Sequence, residues 1–260
     1  MNVARALPFA VLLAAAPAAR AADDEADALH RHYGFADLIV SKFNDGLFGL
    51  SAGDVDGDGH GDLVVINNGK AKLELLLHRD DAEPSGPEDE LVNALPDEGW
   101  FERAFLPMEE RIWALALGDL DADGADDLIT LGDGGELRVT FLDETGAAER
   151  TESTPLEGTV ARDRCLAVGD IDRDGLTDVA VLTKRGIELV LQQADGSLRA
   201  DTRLPHGGEL ASALELVDLD GDDFLDLVGV FHENEQPLRV RRGHVGGRFG
   251  PELRIPAPEP

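Results

Sequence analysis

Four short stretches of this chain concentrate carboxylates at one fixed spacing: residues 54–62, 119–127, 170–178 and 218–226. Each stretch can be numbered from its first aspartate. Position 1 is Asp54, Asp119, Asp170 or Asp218, and position 3 is Asp56, Asp121, Asp172 or Asp220. Position 5 is Asp58, Asp123, Asp174 or Asp222, and position 9 is Asp62, Asp127, Asp178 or Asp226. Alternate residues of an extended segment point to the same side, so positions 1, 3 and 5 converge. Position 6 must turn sharply, and Gly59, Gly124 and Gly175 allow a positive φ there without steric cost. Asp223 replaces glycine in the fourth stretch, and Asp tolerates that region better than most residues. The turn aims the backbone carbonyl of position 7 inward, from His60, Ala125, Leu176 or Phe224, and position 9 closes the cage. Position 2 is always apolar (Val55, Leu120, Ile171, Leu219), which places that side of each loop against a core.

Carboxylates held this closely repel one another. At an effective dielectric of about 20, a pair roughly 4 Å apart costs about 4 kcal/mol. The only cationic candidates within the loops are Arg173 and, weakly, His60. A bound dication is the simple remedy. Oxygen donors in a flexible, many-coordinate arrangement select calcium over zinc or copper, and magnesium prefers fewer carboxylates and more water. The sequence therefore predicts up to four calcium sites. An Asp-Gly turn with solvated charges would explain one such loop, but it explains four copies in one register poorly. These are not EF-hands: position 12 is Val65, Thr130, Val181 or Gly229 rather than a bidentate Glu, and it falls in an apolar run.

The elements that must hold these loops repeat with them. The first aspartates are 65, 51 and 48 residues apart, a fixed core motif with connections of varied length. An apolar stretch precedes each loop, as in Ile112-Trp113-Ala114-Leu115, and another follows, as in Val179-Ala180-Val181-Leu182. A turn and a partly alternating strand come next, then a more polar strand ending near Pro107, Pro155, Pro205 or Pro256. Four short strands per unit of about 50 residues predict an all-β propeller of four-stranded antiparallel blades, four in number, across residues 35–256. The last blade takes residues 249–255 as its fourth strand. Residues 35–41 resemble one more such strand, which closes the ring, adds an edge or leaves the array open. Residues 79–100 read as an acidic insertion, a solvated loop with one weak helical stretch at 87–95.

The pattern Asp-apolar-Asp-x-Asp-Gly-x-x-Asp, followed by apolar residues, resembles the FG-GAP/VCBS repeat. That family includes integrin α-subunit propellers and many exported bacterial proteins. The resemblance implies a propeller with calcium held in a hairpin loop between the first two strands of each blade. It carries the aspartates at positions 1, 3, 5 and 9 over as ligands. Asp223 and the irregular spacings depart from the pattern. The family contains adhesion modules, sugar binders and accessory domains of enzymes, so it fixes no ligand.

The bulk composition limits the partners. Lys and Arg total 23 against 53 Asp and Glu, a formal net charge of -30, which repels nucleic acid and anionic lipid. Arg5, the apolar run 6–19 and Ala19-Arg20-Ala21 predict a signal peptide over residues 1–21, hence an exported chain in the periplasm, at the cell surface or outside the cell. Residues 22–34 read as a flexible arm and 257–260 as a tail. No stretch is long and apolar enough to predict a membrane span. Cys165 is the one cysteine, expected to be a buried thiol. No Gly-x-Ser-x-Gly turn, HExxH pair or phosphate loop is present. The expected function is therefore a non-catalytic, calcium-dependent module for binding a protein or glycan, as in adhesion. The rival expectation is an accessory or catalytic propeller of a carbohydrate-active hydrolase or lyase. Trp100, Phe101 and Trp113 are the aromatic platforms a sugar could use.

Overall fold

The computed structural model describes residues 43, 46–79, 100–143, 145–206, 211–232 and 235–256. The expected signal peptide, arm, extra strand at 35–41, tail and nearly all of the acidic insertion lie outside those residues. The described residues form strands and turns, with no helix among them. No described helix is therefore long and apolar enough to cross a membrane.

Blade 1 comprises β1 (Leu47–Gly53), β2 (Asp62–Asn67), β3 (Lys72–His78) and β4 (Phe101–Pro107). Blade 2 comprises β5 (Ile112–Gly118), β6 (Asp127–Gly132), β7 (Glu136–Leu142) and β8 (Ala148–Pro155). Blade 3 comprises β9 (Leu166–Gly169), β10 (Asp178–Thr183), β11 (Gly186–Gln192) and β12 (Leu198–Leu204). Each is a four-stranded antiparallel meander in chain order. Blade 4 uses β13 (Ala213–Val217), β14 (Asp226–Val230), β15 (Leu238–Arg241) and β18 (Leu253–Ile255). The strand expected over 249–255 is divided. Phe249 belongs to a two-stranded ribbon, β16 (Gly243–His244) with β17 (Arg248–Phe249), and only β18 pairs with β15. Gly243 opens that ribbon where any Cβ would collide with the backbone carbonyl of Leu225. The architecture is the expected four-bladed, all-β propeller.

The core lies between blades rather than within them. Alternation along β6 shows why: Leu128 packs with Val64, Ile66, Leu75 and Leu77 of blade 1. Its neighbours Ile129 and Leu131 pack with Val179, Val181 and Leu189 of blade 3. Every residue of β6 and β10 is buried, as expected of strands covered on both faces. The outermost strands β8 and β12 are almost wholly exposed and polar, which suits an edge. The first strands pack in series, β1 on β5, β5 on β9 and β9 on β13.

One glycine lets neighbouring blades approach closely. Gly53, Gly118 and Gly169 immediately precede the loops, and each receives a side chain from position 8 of the next loop. A Cβ on Gly53 would collide with Asp126 Oδ2; on Gly118 it would lie 3.3 Å from Thr177, and on Gly169 2.5 Å from Leu225. Asp126 is the most constrained of these partners, because its Oδ2 accepts the amide of Asp54 at 3.1 Å and its amide donates to the Asp54 carbonyl at 2.6 Å. Gly53→Val should therefore destabilise the protein by about 1–3 kcal/mol through overpacking. Gly61→Ala, in open space, should leave the denaturation midpoint unchanged; equilibrium urea unfolding of both variants checks this.

Candidate metal centres

The four loops share one backbone path. Position 6 has a positive φ in every copy: 87° at Gly59, 99° at Gly124, 90° at Gly175 and 67° at Asp223. The fourth loop, with aspartate in place of glycine at position 6, thus makes the same turn. Position 4 also lies in the left-handed region, at Gly57 (71°), Ala122 (61°), Arg173 (66°) and Gly221 (78°). Sequence reasoning missed this second reversal, because two of the four residues there carry side chains. The loop is then tied by its own carboxylates. The position 6 amide donates to position 1 Oδ2 at 2.9–3.1 Å in all four loops. The position 7 amide donates to position 5 Oδ1 at 2.9–3.0 Å. These bonds orient the carboxylates before any ion arrives.

Position 9 has a role that the spacing alone did not reveal. Asp62, Asp127, Asp178 and Asp226 are all buried at the foot of the second strand. One oxygen of each accepts the amide of position 2 across the loop, from Val55, Leu120, Ile171 or Leu219. In three blades the other oxygen accepts an amide at the end of, or just beyond, the third strand, from His78, Gln192 or Gly243. Position 9 therefore clamps the loop to two strands. Burial pushes three of these carboxyls up, to about 6 for Asp62, about 7 for Asp127 and about 6 for Asp178, against the pull of the donated amides. Repulsion from the aspartates at positions 3 and 5 adds to the rise.

The structure brings three carboxylates of each loop together, with one oxygen from each lying within 4.8 Å of the others. In the first and fourth loops these are Asp54, Asp56, Asp58 and Asp218, Asp220, Asp222; in the second and third they are Asp119, Asp121, Asp127 and Asp170, Asp172, Asp178. Positions 1 and 3 thus contribute everywhere, and the third donor is position 5 or position 9. The carbonyls of His60, Ala125, Leu176 and Phe224 remain expected ligands. Such all-oxygen sets suit a hard divalent cation. Asp54 adds a direct sign of an absent partner, because its Oδ1 is buried without a hydrogen bond.

Besides the cationic residues within the loops, arginines from outside them reach the carboxylates: Arg79 pairs with Asp56 at 3.0 Å, Arg150 with Asp121 at 3.3 Å and Arg242 with Asp220 at 2.7 Å. In the third loop, burial and then Asp174 hold the Asp172 carboxyl above its usual range. One expectation is corrected, at position 2. Val55, Leu120 and Ile171 are buried as expected, but Leu219 is 55% exposed. The next blade supplies the cover in the other loops, as where Gln192 Nε2 of blade 3 donates to the Leu120 carbonyl and Gly247 of blade 4 lies against Ile171.

The aromatic candidates do not converge. Trp100 and Phe101 gather around His78, with ring centroids 6.2 and 5.9 Å away, and His60 lies 5.2 Å from His78 at the first loop. Trp113 sits at the opposite end of its blade. Arg111 lies 4.5 Å from its ring centre, Phe48 meets it edge-on, and its Nε1 donates to Asp133. Cys165 is buried as expected, and its thiol is pushed up to about 12 by desolvation.

Two measurements follow from the buried position 9. A carboxyl raised from 3.8 to about 7, as at Asp127, binds its proton more tightly in the folded state. Its contribution to stability is therefore greatest at low pH and is lost as pH rises through that window. The metal-free protein should melt at a lower temperature at pH 7 than at pH 5, a trend that calorimetry in EDTA checks. Asp178→Ala strands the amides of Ile171 and Gln192, at about 1–3 kcal/mol each. Without metal it should destabilise far more than Asp174→Ala, as urea unfolding in EDTA would show.

Comparison with known proteins agrees with this geometry. The FG-GAP-like repeat family matches residues 119–181 and 170–229. No curated protein matches the chain. Among solved structures, a lectin of Agrocybe aegerita, described with specific recognition of non-reducing terminal N-acetylglucosamine, is 18% identical with a TM-score of 0.48. The match covers 79% of this chain and 52% of the lectin, so the chain spans about half the lectin's length. The repeat matches take in the second, third and fourth Asp loops, and the first loop has the same hydrogen-bonded path. Residues 119–229 of the chain are FG-GAP-like repeats.

Proposed function

We propose that this protein is an exported, non-catalytic binding module whose loops are set by calcium and whose loop-bearing end engages a protein or glycan. The observation that carries the reading is the fourfold recurrence of one pre-ordered carboxylate cluster. Calcium supplies the charge that such a cluster lacks. The chain's own residues do the rest: positions 1 and 3 offer oxygens, position 9 fixes the loop to two strands, and the amides of positions 6 and 7 hold the carboxylates in place.

At the same end of blade 1, His60, His78, Trp100 and Phe101 form an aromatic group beside the first loop. Aromatic faces next to oriented polar groups suit a sugar ring or a protein side chain. Export follows from the N-terminal pattern, and an extracellular or periplasmic calcium supply is consistent with it.

Equilibrium dialysis should show calcium uptake, and saturation at a hundredfold excess over Kd should add about 2.7 kcal/mol per site. EDTA should therefore lower the melting temperature; an unchanged melt with no uptake would overturn the calcium reading. A glycan array combined with product analysis tests the binding reading separately. Retention without cleavage, weakened by Trp100→Ala at constant melting temperature, is expected; turnover would favour the hydrolase or lyase alternative.

A further inference from the structure

Position 8 of each loop lies between the expected carbonyl ligand at position 7 and the buried aspartate at position 9. It is Gly61, Asp126, Thr177 or Leu225. In the second, third and fourth loops this side chain reaches back to the glycine that precedes the loop of the blade before. Thr177 and Leu225 arrive through carbon atoms, Cγ2 against Gly118 and Cδ1 against Gly169. Asp126 alone among the three bonds across the gap. Its Oδ2 accepts the Asp54 amide at 3.1 Å, and its own amide donates to the Asp54 carbonyl at 2.6 Å. Its neighbour Ala125 lies beside the left-handed turn at Gly57, 3.5 Å from where a Cβ on that glycine would stand. The first and second loops are therefore joined by a two-point bridge at a candidate ligand residue, which neither later junction has among the described residues. The third blade reaches the second loop through Gln192 instead, at the carbonyl of position 2.

Each end of the bridge belongs to a carboxylate cluster. Asp54 is position 1 of the first cluster, and the Gly59 amide already holds its Oδ2. Its Oδ1, buried with no hydrogen bond, is the atom left to meet a cation. On the other side a single peptide bond separates Asp126 from Asp127, whose carboxylate forms the second cluster with Asp119 and Asp121. An ion in the second loop would fix Asp127 and, through it, the backbone that carries Asp126. Asp126 in turn holds the backbone of Asp54, so the first loop gives up less freedom when its own ion binds.

We propose that Asp126 is a positioning residue that couples the first two loops, so that calcium in either one tightens binding in the other. The effect is reciprocal by linkage. It rests on the calcium reading above and adds that these two sites are not independent.

Calorimetric titration of the full chain tests this at about 0.15 M salt, which damps repulsion between the two ions. Asp170→Asn with Asp172→Asn, and Asp218→Asn with Asp220→Asn, silence the third and fourth loops while keeping an acceptor oxygen at each position. Silencing the second loop as well, by Asp119→Asn with Asp121→Asn, should lower the affinity of the first loop by at least about fivefold. Asp126→Ala should remove that dependence, and Asp126→Asn, which keeps the accepting oxygen, should restore it. Asp126→Thr, with the side chain that touches Gly118 without bonding in the third loop, replaces Asp126→Ala should the latter fold poorly. A first loop indifferent to the second, or a dependence that persists in Asp126→Ala, overturns the proposal and leaves the calcium reading intact. Absence of calcium uptake by either loop overturns both.

Discussion

The structure depends on one buried contact repeated four times: an aspartate at the foot of the second strand that accepts an amide from across the loop. Burying a carboxylate is costly unless donors meet it, and here both its oxygens are supplied by backbone amides in three blades. The bonds fix where the loop leaves the first strand and enters the second. Both reversals at positions 4 and 6, and the convergence of positions 1 and 3, follow from that constraint. The carboxylate cluster is therefore attached to the hairpin itself. In the proposed calcium-loaded form metal binding and blade geometry would be coupled, because one residue belongs to both the cluster and the clamp, as at Asp127 and Asp178.

Much of this was legible in the sequence because the signal was local. The spacing of aspartates, the glycine at position 6 and the apolar runs on either side specify a strand, a tight loop and another strand without reference to anything distant. Asp223 could be read as a turn residue for the same reason. What escaped were features set by tertiary placement. Arg79, Arg150 and Arg242 lie 23, 29 and 22 residues from the aspartates they pair with, and nothing in the loop motif announces them. Leu219 looked like Val55 and Ile171, yet its environment depends on a neighbour that only the first three loops possess. The left-handed residues at position 4 were hidden because Ala122 and Arg173 do not advertise a positive φ.

Charge is managed in layers. Backbone amides orient the carboxylates, arginines from outside the loops offset part of the repulsion, and a divalent ion completes the neutralisation in the proposed calcium-loaded form. The arginines approach position 3 in three loops; Arg150 and Arg242 do so in exposed pairs, where solvent weakens their effect, whereas Arg79 meets a buried Asp56. They temper the site without replacing an ion. The aromatic group of blade 1 lies at this same charged end, so a partner docking there would meet apolar rings and fixed polar groups side by side.

Placing the apolar core between sheets has a consequence for how the molecule comes into being. A solitary blade has little with which to exclude water, because its inward-pointing leucines and valines need the adjacent sheet to cover them. The smallest cooperative unit is a neighbouring pair, and stability accumulates by nearest-neighbour increments along the array. During synthesis the first sheet must wait for β5 to β7 to arrive before its Leu75 and Leu77 are sheltered. On heating, disorder should advance inward from the two flanks, leaving the strands around Val179 and Leu189 as the last to open.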